Sequence, residues 1–242
     1  MNTSSGGAPL KVLAIDCATE HCSAALWLSG EVLERSAPPA RGLSEHLLQW
    51  VEELLAAAGL GLRGLDLVAF GRGPGAFTGV RLATSLAQGL AIAADLPVAP
   101  VSTLRSVAAQ ALALRPTAAA ALVCQDARMH ELYWARYERR GHDAVLLDDE
   151  RLDAPDGVHV DTGGAIVAAG SGFDAYAELA QRWGARRDAE PALALPLQCA
   201  PRARDIARLA ALDGLARAVA AADALPVYLR DNVASPAPPP AL

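Results

Sequence analysis

Lysine and aromatic residues are scarce in this chain. Lys11 is the only lysine among 21 Lys and Arg residues, which face 27 Asp and Glu, and the net charge is −6. That balance argues against a protein that grips nucleic acid alone through a broad basic face. Phe, Trp and Tyr make up 5% of the residues while hydrophobic residues make up 52%, so the core must be built from Ala, Leu and Val. Long apolar runs are missing as well. The longest uncharged helical stretch, Leu82 to Ala94, falls short of the roughly 20 residues that a membrane span needs. The start, Met1 to Pro9, is polar and small, without the basic and apolar regions of a signal peptide.

Catalytic signatures are equally sparse. Cys17, Cys22, Cys124 and Cys199 form no CxxC pair and no zinc spacing, so they read as small buried hydrophobes in a reducing cytoplasm. The histidines at 21, 46, 130, 142 and 159 make neither HxxxH nor HExxH, which argues against a histidine metal site. His159 and Asp161 fit a polar hairpin face. No serine lies in a GxSxG context, and no cysteine has a motif-placed base.

What the chain does contain is an α/β pattern within 242 residues, a length for one or two domains of about 100–200 residues. Charged residues at 20% and a mean hydropathy of +0.22 argue against a disordered chain. Lys11 to Ala18 and Cys22 to Leu28 are apolar runs, and Glu31 to Ser36 alternates. Ser29-Gly30 is a hairpin signal between the last two. Pro38, Pro39 and Gly42 break the pattern. Residues 44–58 predict an amphipathic helix with Leu43, Leu47, Trp50, Val51 and Leu54 on one face, widened by Leu48 and Leu55, and Gly59 ends it. Residues 65–71 predict a strand, 80–94 a helix, 97–101 a strand and 103–114 a helix. After Arg115-Pro116 the pattern restarts, with strands at 118–125, 131–138, 145–147 and 166–169 and helices at 174–183 and 203–222. The tail, 234–242, is proline-rich and reads as disordered.

Two local signals carry candidate chemistry. The first is the turn Gly71-Arg72-Gly73-Pro74-Gly75-Ala76-Phe77-Thr78-Gly79 feeding a helix. Such a turn can present N–H groups to an anion. It is not GxGxxG after the first strand, it lacks Gly-Lys-Ser/Thr, and Pro74 removes a donor, so a structural tight turn is the favoured reading. The second is Asp16 at the end of the first strand, with Thr19 three residues later. That pair can orient Mg²⁺-bound water and a phosphate; equally, Asp16 can cap the turn into the next strand. Asp126 and Arg128 read as a pair across a turn.

Five segments taken together resemble one family: residues 13–26 (LAIDCATEHCSAAL), the SEHLL helix start, residues 71–91 (GRGPGAFTGVRLATSLAQGLA) followed by PVAPVSTL, residues 126–137 (DARMHELYWARY) and residues 226–234 (PVYLRDNVA). Their order and spacing resemble the TsaB (YeaZ) family, the dimerization subunit of the bacterial tRNA threonylcarbamoyladenosine machinery, over residues 10 to 234. The motif at the turn consists of Gly73, Pro74, Gly75, Phe77, Thr78, Gly79 and Arg81.

The resemblance implies an α/β fold of the two-lobe actin/Hsp70-like (ASKHA, ribonuclease H-like) class, with mixed sheets flanked by helices. The lobes would run from 10 to 102 and from 103 to 233, the final helix being able to return to the first lobe, between disordered ends at 1–9 and 234–242. It implies a non-catalytic subunit that partners the TsaD paralogue and the TsaE ATPase, forms homodimers in isolation and meets tRNA only through the complex. The complex transfers threonylcarbamoyl to N6 of the adenosine beside the anticodon in tRNAs reading codons that begin with A. ATP or ADP with Mg²⁺ at the partner interface is the candidate cofactor, with Asp16 and Thr19 as candidate ligands. The catalytic paralogue carries HxxxH where this chain has Thr103 and Val107, which cannot replace imidazole ligands. The expected partner surface is Leu47, Trp50, Val51 and Leu54 on the first helix and Thr84, Ser85, Gln88, Gly89, Ala91 and Ile92 on the second. The competing class is a free-standing enzyme of the same fold, a small-molecule kinase or a glycoprotease-like peptidase.

Overall fold

A computed structural model describes residues 9–38, 43–159, 165–189 and 196–230. The ends expected to be disordered lie, apart from Pro9, outside these residues, as do Pro39, Gly42 and Asp161.

The first sheet opens with β1 (Lys11–Asp16), β2 (Cys22–Leu28) and β3 (Glu31–Ala37), paired antiparallel in sequence. Ser29 and Gly30 turn the hairpin with φ of 52° and 99°, the left-handed pair that a two-residue turn requires. β4 (Leu67–Gly71) pairs parallel with β1, and β5 (Val98–Val101) pairs parallel with β4, giving the order 3-2-1-4-5. Parallel neighbours need crossover connections. The helices α1 (Leu43–Ala57) and α2 (Phe77–Ala94) supply them.

The second sheet holds β6 (Ala120–Asp126), β7 (Leu132–Arg140), β8 (Asp143–Leu146), β9 (Arg151–Asp153) and β10 (Ile166–Ala169). β10 pairs parallel with β6, β6 antiparallel with β7, and β8 and β9 pair with different stretches of β7.

Three cores fix a five-layer stack. α1 and α2 cover one face of the first sheet, with Leu47, Val51, Leu54, Ala83, Ala87 and Ala91 against Leu13, Ile15, Val68 and Phe70. The helices α3 (Thr103–Leu114) and α6 (Ala203–Asp213) lie between the two sheets. α4 (Gly172–Ala175) and α5 (Ala177–Ala189) cover the far face of the second sheet. This layering is the two-lobe actin/Hsp70-like architecture that the resemblance implies. The scarcity of aromatics acquires a reason here. A helix covered by sheets on both sides must approach both closely, and Ala108, Ala109, Ala111, Ala203, Ala207 and Ala210 permit that.

Three helix boundaries differ from the sequence reading. α2 begins at Phe77 rather than Val80. The helix expected at 174–183 is two, α4 and α5, broken at Tyr176, whose hydroxyl donates to Asp126 at 2.8 Å. α6 stops at Asp213 rather than continuing to 222, because Gly214 turns left-handed (φ 67°). Beyond it Val219 bridges Val98 through backbone bonds of 2.8 and 2.9 Å in both directions. The edge of the first sheet thus captures a segment whose alanines alone favour helix.

The expected lobe boundary falls at Ser102, which caps α3 by accepting a hydrogen bond from the Arg105 N–H at 3.1 Å. α6 packs on β1, β2 and β4 of the first sheet. Among the described residues no helix is long and apolar enough to cross a membrane.

Candidate functional site

The glycine turn is built by close approach to the β1–β2 loop. A Cβ on Gly75 would lie 2.4 Å from the Ala18 carbonyl oxygen, and one on Gly79 would lie 1.8 Å from that of Cys17. The Ala76 N–H donates to Ala18 O at 2.8 Å. From the other side the Thr103 hydroxyl donates to Pro74 O at 2.5 Å, and the Thr103 N–H to Gly73 O at 3.1 Å. On the side facing the β1–β2 loop the turn is packed against the chain's own carbonyl groups, while Pro74, Gly75, Ala76 and Phe77 also line an open cleft. These glycines serve packing, which is the structural reading of the turn.

Asp16 and Thr19, the candidate Mg²⁺–phosphate pair, differ in exposure. Asp16 is completely buried. Its Oδ1 accepts from the Ala18 N–H at 3.2 Å, and its Oδ2 has no hydrogen-bond partner among the described residues. Burial pushes its carboxyl up to about 7, against a smaller lowering by the Ala18 N–H. Thr19 is half-buried in the wall of the interlobe cleft, its hydroxyl oxygen accepting from the His21 N–H at 3.3 Å. Asp16 is thus sealed inside the chain, whereas Thr19 lines the cleft.

The cleft itself, about 810 Å³, opens between the β1–β2 loop and the start of α2 on one side and the β6–β7 tip on the other. At that tip Arg128, Met129 and His130 are all left-handed, with φ of 61°, 57° and 59°. Such a conformation costs about 1–2 kcal/mol per non-glycine residue. It is held by the Arg128 N–H donating to Asp126 Oδ1 at 2.8 Å, Ala127 N–H to Glu131 O at 3.0 Å and Glu131 N–H to Arg128 O at 3.1 Å. Arg128 pairs with Asp126 at 3.1 Å, as the sequence suggests, and also reaches across the cleft to Glu20. No residue type announces this tip, since none of the three is glycine.

Val227–Arg230 forms another wall of the cleft, and the segment leading into it begins at Ala224. The Gln88 side-chain amide donates to Ala224 O at 3.1 Å, and the Val227 N–H to Arg72 O at 2.7 Å. Arg81 Nε donates to the Tyr228 hydroxyl at 2.7 Å while its guanidinium lies 3.7 Å from the Phe77 ring centre. Arg230 donates to Ala127 O at 3.1 Å and Arg128 O at 3.3 Å and pairs with Glu131. Deeper in, Arg72 donates to Glu150 at 3.0 Å, a carboxylate that also accepts from Tyr137 at 3.0 Å and from Ser102. These far-reaching partners of Arg72 and Arg230 have no periodicity that a sequence would display.

The expected partner surface is corrected on five residues. Leu47, Val51 and Leu54 are buried in the chain's own core, with Trp50 partly buried against it. On α2, Thr84 and Ala91 are buried too, Thr84 donating its hydroxyl to Val80 O at 2.8 Å. The core stripe is Val80, Ala83, Thr84, Ala87 and Ala91. The larger Leu82, Leu86 and Leu90 are half-buried beside it. The small residues win because they let the helix lie closer to the sheet. Ser85 and Gly89 are exposed, Ile92 is 70% exposed, and Gln88 is half-buried. Phe77, Thr78 and Arg81 are exposed on the first turns of α2. Thr103 and Val107 are buried between the sheets.

A family model described as "TsaD: tRNA N6-adenosine threonylcarbamoyltransferase" matches residues 38–237. The chain is similar to the tRNA threonylcarbamoyladenosine biosynthesis protein TsaB of Escherichia coli (strain K12), at 38% identity over 233 residues, 93% of this chain and 96% of that one. With the protein of the same description from Haemophilus influenzae it shares 45% identity over 130 residues, 54% of this chain and 55% of that one. The solved structure of YeaZ from Pseudomonas aeruginosa superposes with a TM-score of 0.77 at 37% identity, covering 91% of this chain and 100% of that one.

Proposed function

This chain belongs to the TsaB (YeaZ) family, and from that premise we propose that it serves tRNA threonylcarbamoyladenosine biosynthesis as a non-catalytic scaffold subunit in the cytoplasm. In this reading it docks on the TsaD paralogue, works with the TsaE ATPase, pairs with itself when TsaD is absent, and meets tRNA only through the complex. The modified atom is N6 of the adenosine beside the anticodon, in tRNAs reading codons that begin with A.

The observation that carries this reading is the outer face of α2. Ser85, Gly89, Ile92 and Ala93 are exposed, beside half-buried Leu82, Leu86 and Leu90, and no charge interrupts residues 82–94. A helix with its other face already seated on a sheet normally turns charges to water on the outside. An uncharged outer face with an exposed isoleucine fits a protein interface, and Gly89 and Ser85 let a second helix come close. Buried Thr103 and Val107, where the catalytic paralogue carries its histidines, support the non-catalytic role. In this reading ATP or ADP with Mg²⁺ sits at the partner interface, since Asp16 is sealed from solvent within this chain. The free-standing kinase or peptidase reading rests on Asp16, Thr19 and the glycine turn, of which Asp16 is buried.

Reconstitution tests this. Threonylcarbamoylation of tRNA is expected with TsaD, TsaE and this chain together, and not with this chain lacking TsaD. Product from this chain without TsaD would refute the non-catalytic role. Full activity of TsaD and TsaE without this chain would refute the scaffold.

A further inference from the structure

The segment 224–230 has no helix or strand of its own, yet it touches both lobes. On the first lobe its anchors are Gln88, the Arg72 carbonyl, and the Arg81–Phe77 pair that holds Tyr228. On the second lobe Arg230 donates to the carbonyls of Ala127 and Arg128 and pairs with Glu131. Those are the residues that hold the left-handed run in place. A run of three left-handed non-glycine residues persists only where its surroundings over-determine it. Here part of that constraint comes from a segment about 100 residues away, and Arg128, held by it, reaches Glu20 across the cleft. Tip, strap and cross-cleft pair form one connected set of contacts with a strained element at its centre.

We propose that residues 224–230 are a two-position clamp. Docked, the strap keeps the 127–131 tip wound and the cleft narrow; released from α2, it lets the tip relax and the lobes part. Ala224 is buried in the first core and stays seated; the part that can be released from α2 lies beyond it, where Tyr228 is 43% exposed and its bond to Arg81 lies at the surface. Arg81 and Phe77 also sit on the first turns of the helix whose outer face is open. A protein that engages that end of α2 competes for Tyr228, so its docking is transmitted to a cleft it does not touch. The coupling rests on a bistable element biased from outside.

The test uses hydrogen exchange on the full chain, read at the Ala127 and Glu131 amides, whose N–H groups bond across the tip. Arg81→Ala and Tyr228→Ala are each expected to speed exchange at both amides at least tenfold, leaving the β6 and β7 amides within twofold, although neither Arg81 nor Tyr228 has a hydrogen bond to the tip. Spin labels on the exposed His21 and Asp174, on opposite walls of the cleft, are expected to report a longer and broader distance in Arg81→Ala. Arg230→Ala serves as the comparison. If it alone frees the tip while Arg81→Ala and Tyr228→Ala do not, Arg230 is a local brace and the clamp is refuted. Unchanged label distances, or acceleration shared equally by the strand amides, overturn it as well.

Discussion

The carboxyl group of Asp16 occupies the space where Gly71 would carry a side chain: a Cβ there would lie 1.8 Å from Oδ2. Strands β1 and β4 are neighbours, and the end of one seals the acid at the end of the other. The carboxyl is cut off from water with one oxygen unpartnered. Its protonation is thereby tied to folding.

Folding is expected to weaken as pH rises from about 4 to about 7. The folded carboxyl, near 7, holds its proton more tightly than the unfolded one, near 3.8. Stability is therefore greatest below the unfolded value and lost through the folded one, by on the order of 4 kcal/mol in all. Asp16→Asn, measured by urea unfolding, should be more stable than the parent at pH 8 and show a flatter profile. A residual slope of the same sign should remain from Asp205, which burial raises to about 6. No gain at pH 8 would show that the buried oxygen is not ionised there.

Two neighbouring residues on α2 should give opposite phenotypes. Ala91 is 1% exposed against the sheet and Ile92 is 70% exposed. Ala91→Arg forces a cation into a packed core and should unfold the protein, at about 3–5 kcal/mol or more. Ile92→Arg should leave circular dichroism and Tm unchanged within about 0.5 kcal/mol while lowering association with TsaD and with a second copy more than tenfold. Light scattering and pull-down distinguish these results, and equal behaviour of the two variants would mean that the buried face is misassigned.

Glycines in and after the turn should separate by what surrounds them. Gly79→Ala places a methyl against the Cys17 carbonyl and should destabilise by several kcal/mol, as overpacking does. Gly89 has nothing within 4 Å of its would-be Cβ. Gly89→Ala should therefore stabilise the isolated chain by up to about 1 kcal/mol, the helix propensity difference. Thermal unfolding of both variants checks the contrast.

Removing Arg105 should be among the most damaging single changes. On α3, in the layer between the sheets, it donates to Asp213 at 2.6 and 2.8 Å, to Asp143 at 2.7 Å and to Ala144 O at 3.1 Å. The two carboxylates hold its guanidinium well above the usual arginine range, against the lowering by burial. Arg105→Ala removes the cation from Asp143 and leaves Asp213 only the more distant Arg217 at 4.0 Å, and should cost about 3–5 kcal/mol. Denaturant unfolding at neutral pH measures it, and a loss below about 1 kcal/mol would mean that solvent reaches the pair.

The order of strands and helices was legible in the chain because each element repeats its own signal locally. The Ser29-Gly30 turn, the apolar runs at 11–16 and 67–71, and the Gly59 stop need nothing from elsewhere. The segments around 13–26, 71–91 and 126–137 were enough to suggest the family. Which face of α2 meets the sheet was not legible, since no charge between Leu82 and Ala94 marks the wet side; distance of approach decided it, in favour of Ala83, Ala87 and Ala91 over Leu82, Leu86 and Leu90. Asp16 could be an exposed ligand or a buried acid on sequence grounds, and only the close packing of Gly71 and Thr103 made it the second. The hold of the left-handed tip by Arg230 was invisible for the same reason: the partners are about 100 residues apart, and nothing but the folded chain brings them within reach of a hydrogen bond.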